Sequence, residues 1–536
     1  MRLILLALTA LTLLIQGYHP LAEDGGIYAA GVEYTLNPTL FPHYTLFVTE
    51  HLRFSLFAPT LAGIVHITHL TLAWVLLLTD ILSLWLTFYA ARKLLQRCII
   101  SEPAQLAALC LLSVFWTLPI AGTSLYLMDP YLTGRSLSTP LTLLAIAFAL
   151  DPWRTKAPPP HPANAAPPHP TNAGVAHPSQ SHGDGWGPRL PAPSALLCLL
   201  TLLLAALFHP LMAAYGLAVV LILRATRLRR RTLAWITLLI SALTLAAILQ
   251  TLASPESPAL IAAERSRYYW FLSQWHWFEL LGLAGPLIIL TLLLRRYRNR
   301  TDHTTANLCR ACLAAGLIAI TVCLLFAHED APTHLVARLQ PLRIFLPIYA
   351  IMILLLGSTL YQQLQDARNR SRLTRRVVPA LTLLALAAIM FTGQRETFPA
   401  SNHLELPWRA THTPNPWVQA FLWARNNTPP DALFALDAKY VNEDGEDAQT
   451  FRAIALRSAL PDFSKDGGEA AITPPLAALW QPAALAQANL STQTDTLRDA
   501  HIAPFSPTWM ILHSTASTFH PCPYDNGTIK VCQLRP

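Results

Sequence analysis

Glu23 and Asp24 are adjacent carboxylates set immediately after an apolar run, in "HPLAEDGGIYAAGVEY", with Gly25 and Gly26 directly after them and Tyr28 and Tyr34 further on. Paired carboxylates can act differently from one another, one orienting a segment or a ligand while the other accepts a proton from an incoming hydroxyl. The stretch "GGIYAAGVEY" can start a short helix on which Asp24, Tyr28, Gly31 and Thr35 share about one face. A plain structural role competes, with Asp24 as an ordinary N-cap.

A second group lies in "PIAGTSLYLMDPYLTGRSLSTP", where Asp129 and Arg135 accompany Tyr126, Tyr131 and several hydroxyls. The two form either a turn held by an ion pair or a phosphate site. In the phosphate site Arg135 meets the anion, and Asp129 orients it or shares a divalent cation such as Mg or Mn with Asp24. A third group, "HEDAPTHLVARLQPLRIF", supplies His328, Glu329, Asp330, His334, Arg338 and Arg343. Arginines beside a bilayer suit a phosphate whose lipid tail stays in the membrane. Surface anchoring is the competing role, more so for Arg338 than for Arg343, which opens an apolar run. In "ALFHPLMAAYG", Pro210 accounts for the turn but not for His209, which serves either a ligand or a cap. The segment "ESPALIAAERSRYYWFLSQWHWFEL" adds Glu264, Arg265, Arg267 and a dense aromatic set. Such rings suit a membrane interface or a platform for sugar and lipid.

These groups need a frame that brings them together. The 536 residues are 53% hydrophobic and only 13% charged, against about 25% charged in a soluble domain. The expected class is therefore a polytopic, all-α membrane protein of about eleven spans. We place the spans at 1–18, 70–94, 104–120, 137–150, 193–208, 210–223, 232–251, 276–294, 305–326, 341–360 and 377–392. The first run is read as a retained span because it lacks a small-x-small cleavage site. "LRFSLFAPTLAGIVHITHL" is read as an interfacial or re-entrant helix within a long outer loop, 19–69. Formal net charge is +8, but the basic residues fall in "ARKLLQR", "RATRLRRR", "RRYRNR" and "RNRSRLTRR", between apolar runs. That pattern sets topology, with the N-terminus cytoplasmic, and argues against a nucleic-acid partner.

Four regions follow: a membrane module 1–154, a Pro/His-rich cytoplasmic linker 155–193, further spans over 194–392, and a small α/β domain outside the cytoplasm, 393–536. His161, His169, His177 and His182 in the linker are read as spacer residues rather than metal ligands. In the last region "DALFALDAKY", "WMILHST" and "GTIKVCQL" read as strands, and "NPWVQAFLWARNN" and "PPLAALWQPAALAQAN" as helices. Cys522 and Cys532 are expected to pair there, brought opposite each other by a three-residue loop from Asn526 to Thr528. Cys98, Cys110, Cys198, Cys309, Cys312 and Cys323 fall in or near spans and are read as packing residues.

This combination resembles the GT-C superfamily of integral-membrane glycosyltransferases, which includes protein mannosyltransferases, oligosaccharyltransferases and aminoarabinose transferases. The likeness rests on an acidic pair after the first span, a long first outer loop with interfacial helices, many spans and a C-terminal outer α/β domain. Over most of residues 1–400, "AEDGGIYAAGVEYTLNPTLFPH", "GTSLYLMDPYLTGRSLSTP", "FHPLMA" and "QPLRIF" also look like segments of a little-characterised bacterial family of multi-pass membrane proteins. The resemblance implies a polyprenyl-phosphate sugar donor, chemistry at the outer face of a bacterial inner membrane, and inversion at the anomeric carbon. It makes Asp24, or Glu23 beside it, the general base, and Arg135, Arg338 and Arg343 the partners of the lipid phosphate. Here "ED" stands in place of the superfamily's Asp-x-Asp, and no sequon-binding motif is evident. The rival class is a transporter, flippase or non-catalytic lipid-binding envelope protein. Asp80 in "LLLTDILSLW" is the carboxylate that an ion-coupled path would use.

Overall fold

The computed structural model describes residues 1–150, 193–226, 228, 230–299, 302–366, 371–409, 413–442, 447 and 449–534. The linker expected over 155–193 lies outside the described residues, apart from Pro193, which begins a helix. Among the described residues, six stretches are long and apolar enough to cross a membrane: Leu72–Cys98, Thr232–Leu252, Trp277–Asn299, His303–Phe326, Leu335–Asp366 and Arg375–Thr397. Shorter apolar helices accompany them at Arg2–Gln16, Phe57–Thr68, Glu102–Val114, Ser194–Phe208 and Pro210–Ala225. Leu335–Asp366 is the most enclosed, with Phe345, Ile348, Ile351, Leu354 and Leu355 all at 0% exposure. Thr232–Leu252 and Arg375–Thr397 are only 6% buried, so their Leu and Ile side chains point outward as lipid-facing residues do.

Several boundaries differ from the sequence expectation. The run expected to span 104–120 is helical only over Glu102–Val114. Beyond it Pro119 has no donor, and the backbone doubles back: Met128 N–H donates to Trp116 O (2.9 Å), Leu127 N–H to Leu118 O (3.0 Å) and Ile120 N–H to Leu125 O (2.8 Å). This fold-back carries Asp129 to the start of helix Gly134–Ala149, whose first turn is closed by a Thr133–Ser136 capping box. The last membrane helix runs to Thr397, beyond the expected end at 392.

The C-terminal region holds a five-stranded sheet in the order β2-β1-β3-β5-β4. Its strands are β1 (Leu433–Ala435), β2 (Ser458–Ala459), β3 (Trp509–His513), β4 (Tyr524–Asp525) and β5 (Ile529–Gln533). β1 lies parallel to β2 and β3, and β5 is antiparallel to β3 and β4. Both faces are buried. Phe434, Ile511 and Val531 pack with Phe421 of helix Pro416–Asn427, while Leu433, Met510, Leu512 and Cys532 pack with Leu490 and Ile502. Cys522 and Cys532 are joined by a disulfide with a Cα–Cα separation of 3.9 Å. The hairpin is one position off the expected register, since Tyr524 pairs with Val531 and Asp525 with Lys530. Asn526 Oδ1 explains the shift by accepting from Thr528 and Ile529 N–H, with Gly527 at φ 86°.

This sheet region is stitched to the membrane core. Tyr18 N–H donates to His403 O and Glu405 N–H to Tyr18 O (both 2.9 Å), and Thr450 N–H donates to Leu21 O (3.1 Å). The Gly25-Gly26 pair permits the approach, because a Cβ at Gly26 would overlap Thr450 Oγ1, and one at Gly25 would sit 2.8 Å from Tyr131 Cβ. Gly26→Ala is therefore expected to cost about 1–3 kcal/mol of stability. Gly63→Ala, where a Cβ meets open space, should stay within about 0.5 kcal/mol. Equal thermal denaturation midpoints for the two variants in detergent would contradict this packing.

Candidate functional site

Helix Glu23–Leu36 follows Ala22, not Asp24, as its N-cap, and Ala22 offers no side-chain cap. The N-cap role considered for Asp24 is thus corrected: Asp24 lies inside the first turn, where the unpaired N–H groups favour negative charge. Glu23 before it has a left-handed backbone, φ 50°, a conformation that costs a non-glycine residue energy and concentrates at functional sites. The expected helix face is only partly used. Asp24 and Tyr28 line a cavity, whereas Gly31 packs under Leu52 and His51, and Thr35 bonds to Gly31 O (2.8 Å).

The cavity has a volume of about 460 Å³. Glu23, Asp24 and Tyr28 enter it from one helix, Asp129, Tyr131 and Arg135 from the fold-back and the helix after it, and His209 from a helix junction. Tyr269, Gln340 and Arg343 come from the segments before helices Trp277–Asn299 and Phe345–Asp366, and Lys465 and Glu469 from helix Lys465–Ile472 of the C-terminal region. Of the expected site residues, it therefore unites Glu23, Asp24, Tyr28, Asp129, Arg135, His209 and Arg343.

Charge in this cavity is organised around two cations. Lys465 Nζ pairs with Glu23 Oε2 and lies 3.2 Å from Asp24 Oδ1. Arg135 donates to Asp129 Oδ2 from Nε (3.2 Å) and from its terminal nitrogen, and that nitrogen lies 4.0 Å from Asp24 Oδ2. Burial alone would push the Asp24 carboxyl up; the Lys465 ammonium and the Arg135 guanidinium outweigh it and hold the group at about 2. Glu469 goes the other way. Burial, with the Asp466 and Asp24 charges nearby, pushes it up to about 8.

Arg343 is different in kind. Its Nε is buried without a hydrogen-bond partner, its guanidinium lies 6.0 Å from the Tyr269 ring centroid, and among the described residues no carboxylate lies within 4 Å of it. Gln340 Oε1 is also buried and unpartnered. His209 fills both of its alternatives, since Nδ1 accepts from Met212 N–H (3.3 Å) as a cap while the residue lines the cavity. Burial, then the Arg135 and Arg343 charges, push it down to about 3, so it is neutral.

Three expected participants are elsewhere. His328 is exposed. Arg338 binds Glu264 through Nε (3.1 Å) and reaches Glu256 (3.3 Å). His334 Nδ1 lies 2.8 Å from Glu256 and 3.2 Å from Glu264. Glu256, Glu264 and His334 have donor atoms grouped closely enough for a metal ion, but Arg338 already supplies the cation that balances those carboxylates. Asp80 is buried, with Oδ2 unpartnered, and is not on the cavity wall.

The carboxylates proposed from sequence for a divalent cation, Asp24 and Asp129, are hard oxygen donors of the right type. Each is already engaged by Lys465 or Arg135, so the residues present do not fit an additional ion. Lys465 and Glu469 were missed in the sequence because a charged pair in a region of soluble character draws no notice. One signal was available: only five of the 38 basic residues are lysines, so each is conspicuous, and Lys465 and Glu469 stand four apart.

Two pH effects follow. Glu469, raised in the folded state, keeps its full stabilising contribution below the unfolded value near 4.5 and loses it as pH rises through about 8. Glu469→Gln should accordingly raise thermal stability at pH 8, by on the order of 1 kcal/mol after solvent screening; a lower midpoint than wild type there would contradict the assignment. His334 is raised to about 9 by its bond to Glu264, against the desolvation of burial. Its contribution is complete below about 6.5 and lost through about 9, so His334→Gln should flatten the decline in midpoint across that window. An unchanged slope would remove the ion-pair account.

No protein-family model and no curated protein sequence matches the chain. Solved structures do. The Archaeoglobus fulgidus oligosaccharyltransferase tethered to an acceptor peptide containing the NVT sequon aligns with a TM-score of 0.50 and 11% identity, over 95% of this chain and 68% of that one. The apo form of the Archaeoglobus fulgidus oligosaccharyltransferase gives 0.49 and 12%, over 95% and 69%. The archaeal oligosaccharyltransferase AglB from Archaeoglobus fulgidus, in complex with an inhibitory peptide and a dolichol-phosphate, gives 0.47 and 11%, over 96% and 69%. The chain shares its fold with that oligosaccharyltransferase tethered to an acceptor peptide, and six of its described stretches are long and apolar enough to cross a membrane.

Proposed function

We propose that the chain is a membrane glycosyltransferase that moves a sugar from a polyprenyl-phosphate donor to an acceptor of the cell envelope. The observation that carries this reading is the Arg343 guanidinium, a half-buried cation on the cavity wall whose enclosed Nε has no hydrogen-bond partner and which has no carboxylate partner among the described residues. A phosphate would complete its charge and its hydrogen bonding. Likeness of fold to an oligosaccharyltransferase supports the same class of chemistry. Asp80 lies away from the cavity, so a transport path through both has no support.

In the proposed reaction the acceptor heteroatom bonds to the anomeric carbon from one face as the bond to the phosphate oxygen breaks on the other. The electron pair leaves with the phosphate and configuration inverts. Arg343 and Arg135 offset charge growing on the departing group. Asp24 accepts a hydrogen bond from the acceptor and orients it. Held at about 2, it is a poor final home for the proton, whereas a released phosphate monoester has a second pKa of roughly 6. The proton therefore ends on the leaving phosphate, which makes Asp24 an orienting group more than a proton store.

We further propose eleven crossings of a bacterial inner membrane, with a cytoplasmic N-terminus and the cavity and sheet region on the outer face. Arg97, Arg224 and Arg298 in the last turns of their helices support this orientation, because the cavity residues adjoin the opposite ends of the same bundle.

Purified protein in nanodiscs, given polyprenyl-phosphate sugars and candidate envelope acceptors, tests the assignment. Asp24→Asn should lower turnover about 10²–10³-fold with the fold retained. Arg343→Gln should raise the KM for donor about tenfold or more. Wild-type turnover in the first variant, or an unchanged donor KM in the second, would overturn the corresponding role.

A further inference from the structure

We infer that the Lys465 ammonium is the resident cation of the Glu23–Asp24 pair and occupies the position that a divalent ion would need. The metal-binding part of this inference does not depend on the transferase reading; its consequence for turnover does.

Three carboxylates, Glu23, Asp24 and Asp129, meet two cations, Lys465 and Arg135. Both members of the adjacent pair contact one ammonium, and the far oxygen of Asp24 faces Arg135. An ammonium is a compact point charge with three donors, so between two carboxylates it supplies the attraction that a small hard cation would. A divalent ion could reach both carboxylates only by displacing Nζ. It would then meet the Arg135 guanidinium across Asp24, and like charges at such separations oppose binding.

The lysine is also held in place. Its backbone N–H donates to Asp462 Oδ1 (2.6 Å), and Asp462 O accepts from Trp480 Nε1 (2.8 Å). Arg267 donates to Phe463 O and to Ser464 O (both 2.6 Å), just before Lys465. Gly467, two residues on, leaves no room for a side chain, because a Cβ there would lie 2.9 Å from Arg267 and 3.0 Å from Trp480. The Lys465 side chain is 14% exposed, so the charge is delivered by a clamped helix start and not by a freely swinging surface residue. Lys465 is thus a positioning residue. It sets the direction of the two carboxylates, and it ties their electrostatics to the docking of the C-terminal region.

The test is Mn²⁺ binding to the purified full-length protein, read by electron paramagnetic resonance and by calorimetry. Wild type should bind no Mn²⁺ that Asp24→Asn removes, at concentrations up to about 1 mM, a dissociation constant equivalent to roughly −4 kcal/mol. Lys465→Met should gain one Mn²⁺ site, about tenfold or more tighter than that limit, and Lys465→Met combined with Asp24→Asn should lose it. One Asp24-dependent Mn²⁺ on wild type would overturn the inference, as would a folded Lys465→Met protein that gains none. Comparison of wild type with Asp24→Asn decides the matter even where Lys465→Met does not fold. Where sugar transfer can be measured, wild-type turnover should survive chelation of divalent ions; loss of turnover restored by Mn²⁺ would overturn the inference while leaving the transferase assignment in place.

Discussion

Glu23 and Asp24, in the first turn of a helix near the N-terminus, share one ammonium that arrives from 441 residues later in the chain. Adjacent carboxylates in a poorly solvated cavity repel each other and resist charging. Lys465 on one side and Arg135 on the other offset that repulsion and hold the Asp24 carboxyl well below the usual carboxylate range. The left-handed backbone at Glu23, the close approach permitted by Gly25 and Gly26, and the strand-like bridge between Tyr18 and Leu404 all serve that meeting of distant segments.

Two kinds of electrostatics then coexist within one cavity. Around Asp24 each negative charge faces a positive one, and the network is self-contained. At Arg343 the protein leaves a cation without a carboxylate, beside a neutral His209 and an aromatic ring. The Arg343 Nε is enclosed without a partner although the residue is only half-buried; an enclosed donor left unpaired is costly, and an anionic ligand is the simplest completion. Arg338 shows the contrast. Five residues away and of identical chemistry, it is consumed by Glu256 and Glu264 in a lock between two interhelical segments.

Much of this arrangement is legible in the amino-acid sequence. Glu23, Asp24, Asp129, Arg135 and Arg343 stand out because charged residues beside apolar runs need a reason. Strands β1, β3 and β5 are readable from their apolar runs, though the two-residue β2 and β4 are not, and helix Phe57–Thr68 is readable from its place in the long loop after the first apolar run. What escapes a reading of the sequence is set by tertiary contact. The apolar run that Arg343 opens sets it apart from Arg338 in the sequence, but what consumes Arg338 is Glu264, 74 residues earlier, which no local pattern shows. Lys465 and Glu469 sit on a helix with ordinary soluble character, and only docking makes them part of the cavity. The hairpin register depends on one side chain, Asn526, capping its own turn, and the early end of helix Glu102–Val114 on a fold-back held by backbone bonds.

The claim that the two halves of the chain meet through charge at Asp24 is tested most directly by a double-mutant cycle on thermal stability, with Asp24→Asn, Lys465→Met and the two combined. The account predicts a coupling energy of at least about 1 kcal/mol at pH 7, with the double variant less destabilised than the sum of the single ones. Strict additivity would mean that the ammonium and the carboxylate do not interact, and would contradict it.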